Sequence, residues 1–215
     1  NCILTTTDKS AEEKIAQLKA LGAEVLVCPN HVPSDDPQSY YSQAERLARE
    51  IPNSFYVNQY YNHTNVDAHY HSTGPELWNQ TGGLITHYLA TVGTGGTISG
   101  AGKYLKEQNP SIKVIGVDAE GSVLTKFHQT GILDKSEIHS YQLEGVGKNI
   151  IPSNVEFDTI DRFVKVDDRS SAFRARQLTK SEAIFAGYSS GAVIEALMRM
   201  RREFKPTDVV VLLFA

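Results

Sequence analysis

Apolar residues fall along this chain in short runs, separated by stretches where they recur every three or four positions. That alternation predicts strands and helices in turn. Cys2–Thr7 and Ala23–Pro29 are β-branched, apolar runs. Between them Ala11, Ile15, Leu18 and Leu21 recur at helical spacing. Ser10-Ala11-Glu12-Glu13 has the form of a capping box, and Gly22 of a left-handed helix stop. Residues 3–28 therefore read as one βαβ unit. A second amphipathic helix is predicted from about Ser39 to Glu50, with Tyr40, Ala44 and Leu47 on one side.

Further along, Gly74-Pro75 opens a predicted helix carrying Trp78, with proline near its first position. Leu84–Val92 is a buried strand by pattern, and Ile98–Glu107 a helix. Ile112–Asp118 and Arg162–Val166 are strands. Ser170–Glu182 and Gly191–Phe204 are helices, and residues 120–160 read as loop-rich. The run Asp208–Ala215 suits a buried parallel strand. Strands alternating with helices point to an α/β fold with a parallel sheet covered on both faces. Both ends lie inside predicted strands, so the chain looks truncated at each end.

Composition narrows the function classes. The 215 residues, 40% hydrophobic, can build one large domain or two small ones. A net charge of −4 with interspersed signs gives no reason to expect nucleic acid or an anionic membrane. No apolar run approaches the ~20 residues of a membrane span. Cys2 and Cys28 fall in one small βαβ unit, which suits reduced thiols in a cytoplasmic protein. His69 and His71 are two apart, a spacing that would put them on different sides of a helix, and read as core or surface histidines rather than metal ligands. No metal site is expected.

The candidate chemistry sits at Gly93-Thr94-Gly95-Gly96-Thr97, between a strand and a helix. Glycines let backbone N–H groups converge on an anion, and the helix dipole adds roughly half a positive charge there. The P-loop pattern is absent, and the glycine spacing does not fit the dinucleotide fingerprint. Asp118 is a poor candidate for that fingerprint's acidic residue. The alternative is a turn that only packs helix on strand.

The wider sequence resembles the cystathionine β-synthase and cysteine synthase family of pyridoxal-phosphate (PLP) enzymes. The motifs are Val92–Gly100, Glu50-Ile51-Pro52-Asn53-Ser54, Asn58-Gln59-Tyr60, Ala68-His69-Tyr70, Thr73–Trp78, Gly116-Val117-Asp118, Glu144-Gly145-Val146-Gly147 and Gly187-Tyr188-Ser189-Ser190-Gly191. The segment Tyr141–Gly147, Asp35–Tyr40 and Tyr60 lean toward the cystathionine β-synthase branch.

The resemblance implies a three-layer, parallel-sheet fold type II architecture: two α/β domains with PLP between them. Residues 1–62 would be the remainder of a small mobile domain and 63–215 the large PLP-binding domain. It implies a PLP-dependent lyase of cysteine biosynthesis and transsulfuration that joins serine to homocysteine, with hydrogen sulfide-forming side reactions. The alternative within the family is cysteine synthase, acting on O-acetylserine and sulfide. An alternative of another class is a non-catalytic protein of this fold that binds a phosphate ligand or a partner chain. Gly93, Thr94, Gly95, Gly96 and Thr97 would hold the cofactor phosphate, and Ser189 its pyridine nitrogen. Tyr60, Glu144 and Gly145 are substrate-side candidates. The family's Schiff-base lysine lies N-terminal to the matched segment, so no catalytic lysine is expected here. Lys103 and Lys148 read as surface lysines. A cytoplasmic homodimer acting on small amino acids is what the family implies.

Overall fold

The computed structural model describes residues 1–215, which divide into two compact units, Asn1–Asn58 and Gln59–Ala215.

The first unit holds β1 (Ile3–Thr7), α1 (Glu12–Ala20), β2 (Glu24–Cys28) and α2 (Tyr40–Glu50). β1 and β2 pair in parallel, Ile3 opposite Glu24 and Thr7 opposite Cys28. Gly22 ends α1 as its sequence position suggests. Its φ is +90°, its N–H donates to Lys19 O, and Ala23 N donates to Leu18 O, closing a double C-terminal turn. The capping box does not form. Ala11 occupies the cap without a side-chain bond, and the Ser10 hydroxyl lies 2.6 Å from that of Thr6 instead. Ser10 N is bonded to Thr7 O, and this tight turn keeps its hydroxyl on the strand side. Ala11, Ile15 and Leu18 of the expected apolar face are half-buried, whereas Leu21, past the helix end, is 79% exposed. α2 is capped by Ser39, whose hydroxyl oxygen accepts from Ser42 N at 3.1 Å and whose O–H donates to Ser34 O at 2.7 Å. Thr5 Oγ1 donates to Tyr40 O and ties β1 to this helix.

The second unit is built on a four-stranded parallel sheet. Its elements are α3 (Thr64–His71), α4 (Thr73–Gln80), β3 (His87–Thr91), α5 (Gly96–Gln108), β4 (Lys113–Ala119), α6 (Leu124–Thr130), β5 (Arg162–Val166), α7 (Asp168–Glu182), α8 (Tyr188–Met200) and β6 (Val210–Leu212). The strand order is β5-β4-β3-β6. Side chains alternate between two cores. Tyr88, Ala90, Val92 and Val114 pack with Ile98, Ala101 and Leu105 of α5 on one face. Leu89, Ile115 and Val117 pack with Ala192, Val193 and Ala196 of α8 on the other. Full burial of each large aliphatic side chain stabilises by about 1.5–3 kcal/mol. This is the three-layer α/β arrangement expected from the pattern.

Boundaries shift where side-chain pattern outruns hydrogen bonding. The predicted strand over 84–92 is His87–Thr91, and Leu84 is 69% exposed. Pro75 is the third residue of α4 rather than the first. Two helices were not foreseen. α3 stands where only a crossing was expected, and α6 interrupts the loop-rich region. α6 is organised by buried Asp118, whose Oδ2 accepts from Thr125 N at 3.0 Å and Thr125 Oγ1 at 2.7 Å. No helix is long and apolar enough to cross a membrane.

Candidate active site

Because all four strands of the second unit run the same way, their carboxyl ends share one edge. Open α/β sheets bind ligands there, where loops leave the strands. Thr91 of β3 lies opposite Val117 of β4, and Leu89 opposite Leu212 of β6. The segments 92–97, 120–123 and 213–215 therefore leave the sheet together. The turn at 143–148 joins them through Gly147 N, which donates to Val92 O at 2.8 Å.

The loop 93–97 is a cradle that side chains would fill. A Cβ on Gly93 would run into Gly145 O, and one on Gly96 into the Asn65 amide. Gly95 has φ +93° at the N-cap of α5, and a Cβ there would lie 2.5 Å from Val155 Cγ2 and 2.6 Å from Asn154 O. α5 has no side-chain cap, and its first turn-closing bond runs from Ser99 N to Gly95 O. The N–H groups of Gly95, Thr97 and Ile98 take no acceptor from the chain. Uncapped donors at the positive end of a helix, reached across glycines, suit a phosphate monoester.

Both threonine hydroxyls of the loop are held from outside. Asn65 Nδ2 donates to Thr94 Oγ1 at 3.2 Å and to Gln59 O at 2.8 Å. His69 Nε2 lies 3.1 Å from Thr97 Oγ1, and its Nδ1 2.9 Å from Thr73 Oγ1. Burial lowers the His69 pKa, favouring the neutral ring, which donates from one nitrogen and accepts at the other. Asn65 and His69 are supporting residues that sequence reasoning missed. The signal was present as the four-residue spacing of Asn65 and His69, which puts both on one face of α3, with Thr73 opening α4 a further four residues on.

Ser189 is the second residue of α8, and Gly187 is the cap. The Ser189 hydroxyl donates to Ala215 O at 3.1 Å, and fully buried Ser190 approaches the same carbonyl at 3.4 Å. Ala215 follows β6, so Ser189 lies at the carboxyl edge that carries the glycine loop. Tyr60 is 7% exposed and packs within the second unit, where Asn154 N donates to its carbonyl. Lys148 donates to the Tyr60 hydroxyl at 3.2 Å, and its ammonium lies 4.7 Å from the ring centroid. Lys148 is thus not the surface lysine expected from sequence: its stem is half-buried along an aromatic face. Lys103 is exposed, as expected. Glu144 is half-buried beside Gly145, whose φ is +73°.

The whole chain, residues 1–215, matches the family model described as "Pyridoxal-phosphate dependent enzyme". The chain belongs to this family. PLP is the family's cofactor, and the glycine cradle with its uncapped helix fits the cofactor's phosphate. The chain is 39% identical to the cystathionine β-synthase of Saccharomyces cerevisiae, over 99% of its own length and 43% of the relative's. It is 32% identical to cysteine synthase B of Pseudomonas aeruginosa, over 98% of this chain and 64% of that one. A solved structure, the O-acetylserine dependent cystathionine β-synthase of Helicobacter pylori, superposes with a TM-score of 0.87. That match has 32% identity and covers 99% of this chain and 65% of the other. The chain therefore spans about two fifths of the yeast relative and about two thirds of the bacterial ones.

Proposed function

We propose that this chain is the phosphate-binding part of a PLP-dependent β-replacement enzyme that joins serine to homocysteine, as a cystathionine β-synthase does. The observation that carries the reading is the uncapped N-terminus of α5 behind Gly93–Gly96, built at the carboxyl edge of the sheet. Similarity to enzymes named cystathionine β-synthase over nearly the whole chain supports the branch.

Each residue then has a task. The N–H groups of Gly95, Thr97 and Ile98, that of Gly96 once it leaves its 3.4 Å bond to Thr94 Oγ1, and the hydroxyls of Thr94 and Thr97 bind phosphate. No Lys or Arg stands in the loop, so charge-assisted hydrogen bonds of about 1.5–3 kcal/mol each must serve. Asn65 and His69 keep the two hydroxyls in place. Ser189 turns from Ala215 O toward the pyridine nitrogen. When bound, PLP supplies the electron sink that lets the serine β-carbon exchange its hydroxyl for a thiol. A neutral hydroxyl at Ser189 leaves that nitrogen largely unprotonated and so keeps the sink moderate. Tyr60, Glu144 and Gly145 face the substrates, and the Glu144 carboxylate holds the amine of the incoming amino acid.

A second reading changes the first substrate from serine to O-acetylserine. The Helicobacter pylori neighbour and the Pseudomonas aeruginosa relative favour it. The test is to load the complete protein with PLP and offer serine or O-acetylserine against homocysteine or sulfide, with products identified by mass. Cystathionine supports the proposal, and cysteine alone supports the second reading. No product from any pairing by protein that has bound PLP would refute β-replacement.

A further inference from the structure

Lys148 places a positive charge at this edge that no carboxylate of the chain answers. Its ammonium has one acceptor, the Tyr60 hydroxyl at 3.2 Å, and lies over the Tyr60 ring at 4.7 Å. An ammonium carries three donors, so two remain. A phenol oxygen and an aromatic face steady a cation without neutralising it. Surface lysines ordinarily extend their ammonium into water, whereas this one is folded back and half-buried.

The support beneath it is rigid. Lys148 N donates to Ser122 Oγ at 2.9 Å, and Lys148 O accepts from Val123 N at 2.9 Å. The preceding Gly147 is bonded to Val92, where the strand enters the phosphate loop. Tyr60 is fixed from the other side. The carbonyl of its neighbour Gln59 accepts from Asn65 Nδ2 at 2.8 Å and from Asn154 Nδ2 at 2.9 Å. Both members of the pair are therefore tied to the loop that holds the phosphate, and neither tie uses the lysine side chain.

A half-buried, unanswered cation is unfavourable unless something anionic joins it. Glu144 and Lys148 lie four residues apart on one loop, with Gly145 and Gly147 between them, each with φ +73°. The same loop thus carries an acid and a base four positions apart, the two residue types that together complement a zwitterion. We propose that Lys148 binds the α-carboxylate of the incoming thiol-bearing amino acid, while Glu144 takes its amine and Tyr60 positions the ammonium. This subsite rests on the β-replacement reading above.

The test compares two thiols in the complete, PLP-loaded protein: homocysteine, and 3-aminopropane-1-thiol, which is homocysteine without its carboxylate. Lys148→Met is expected to raise KM for homocysteine about tenfold or more relative to KM for the aminothiol, the size of one lost charge-assisted hydrogen bond. Lys148→Arg should recover part of that ratio, and Tyr60→Phe should shift it in the same direction by less. If Lys148→Met gives no folded protein, Lys148→Gln keeps a donor for Tyr60 and removes only the charge. A KM ratio unchanged in the charge-removing variant, with both thiols still consumed, overturns the subsite and leaves β-replacement standing. Wild-type protein that consumes neither thiol removes both.

Discussion

Replacing Gly95 by alanine tests the tight approach of the 154–155 segment to the glycine loop at the N-cap of α5. Two penalties combine. A side chain at φ +93° is strained by roughly 1–2 kcal/mol. The new Cβ would also lie 2.6 Å from Asn154 O and Val155 N, which are backbone atoms that cannot swing aside. Either the loop or the 154–155 segment must then move. The N–H groups of Gly95 and Thr97 turn with the loop, and losing one charge-assisted bond of about 1.5–3 kcal/mol corresponds to roughly 10- to 150-fold in PLP affinity. Gly95→Val should be worse. The control is Gly82→Ala, which has φ +57° but nothing within 4 Å of the added carbon. It carries conformational strain without a clash and stands outside the site. PLP titration by absorbance, with thermal melts on the same samples, separates the two. Wild-type PLP affinity in Gly95→Ala, or an equal affinity loss in Gly82→Ala, would refute the close-approach reasoning.

Three further outcomes follow from the site. Ser189→Asp should lower β-replacement strongly by holding the ring nitrogen protonated, while Ser190→Ala is milder; wild-type turnover by Ser189→Asp would remove Ser189 from the cofactor. Glu144→Gln should impair use of homocysteine more than use of sulfide, and equal losses in steady-state rates would exclude a contact with the amino-acid acceptor. His69 should make the cofactor-free protein lose stability in acid. Its folded pKa is lowered from 6.5 by burial, so the unfolded chain takes up the proton first. Stability is then full above 6.5 and falls as pH drops from there toward the lowered value, levelling off once both states are protonated. Melting temperature against pH should show that slope in wild type and less of it in His69→Asn; identical slopes would remove His69 as the titrating group.

Much of this protein was legible in the order of its residues. The alternation of β-branched runs with helical periodicity determined a parallel α/β sheet, because residues 88, 90 and 92 must face one way and 89 the other. Arg162–Val166 was placed to the residue, because the run from Phe163 to Val166 is half-buried or buried and pairs with β4, with exposed Arg162 opposite Ile115 at its start. The glycine cradle was visible too, since only glycine tolerates those approaches. What the sequence could not determine depends on partners distant along the chain. Ser10 looked like a cap until a turn to Thr7 held its hydroxyl on the strand side. α3 has weak amphipathicity and is a helix because it packs on α5, and that packing brings Asn65 and His69 onto Thr94 and Thr97. Lys148 shows the limit most plainly. Its neighbours in sequence say only "loop lysine", and 88 residues separate it from the tyrosine ring that holds its charge in place. Local propensity acts within a few residues, whereas the site is made of contacts that exist only once the sheet has brought its carboxyl ends together.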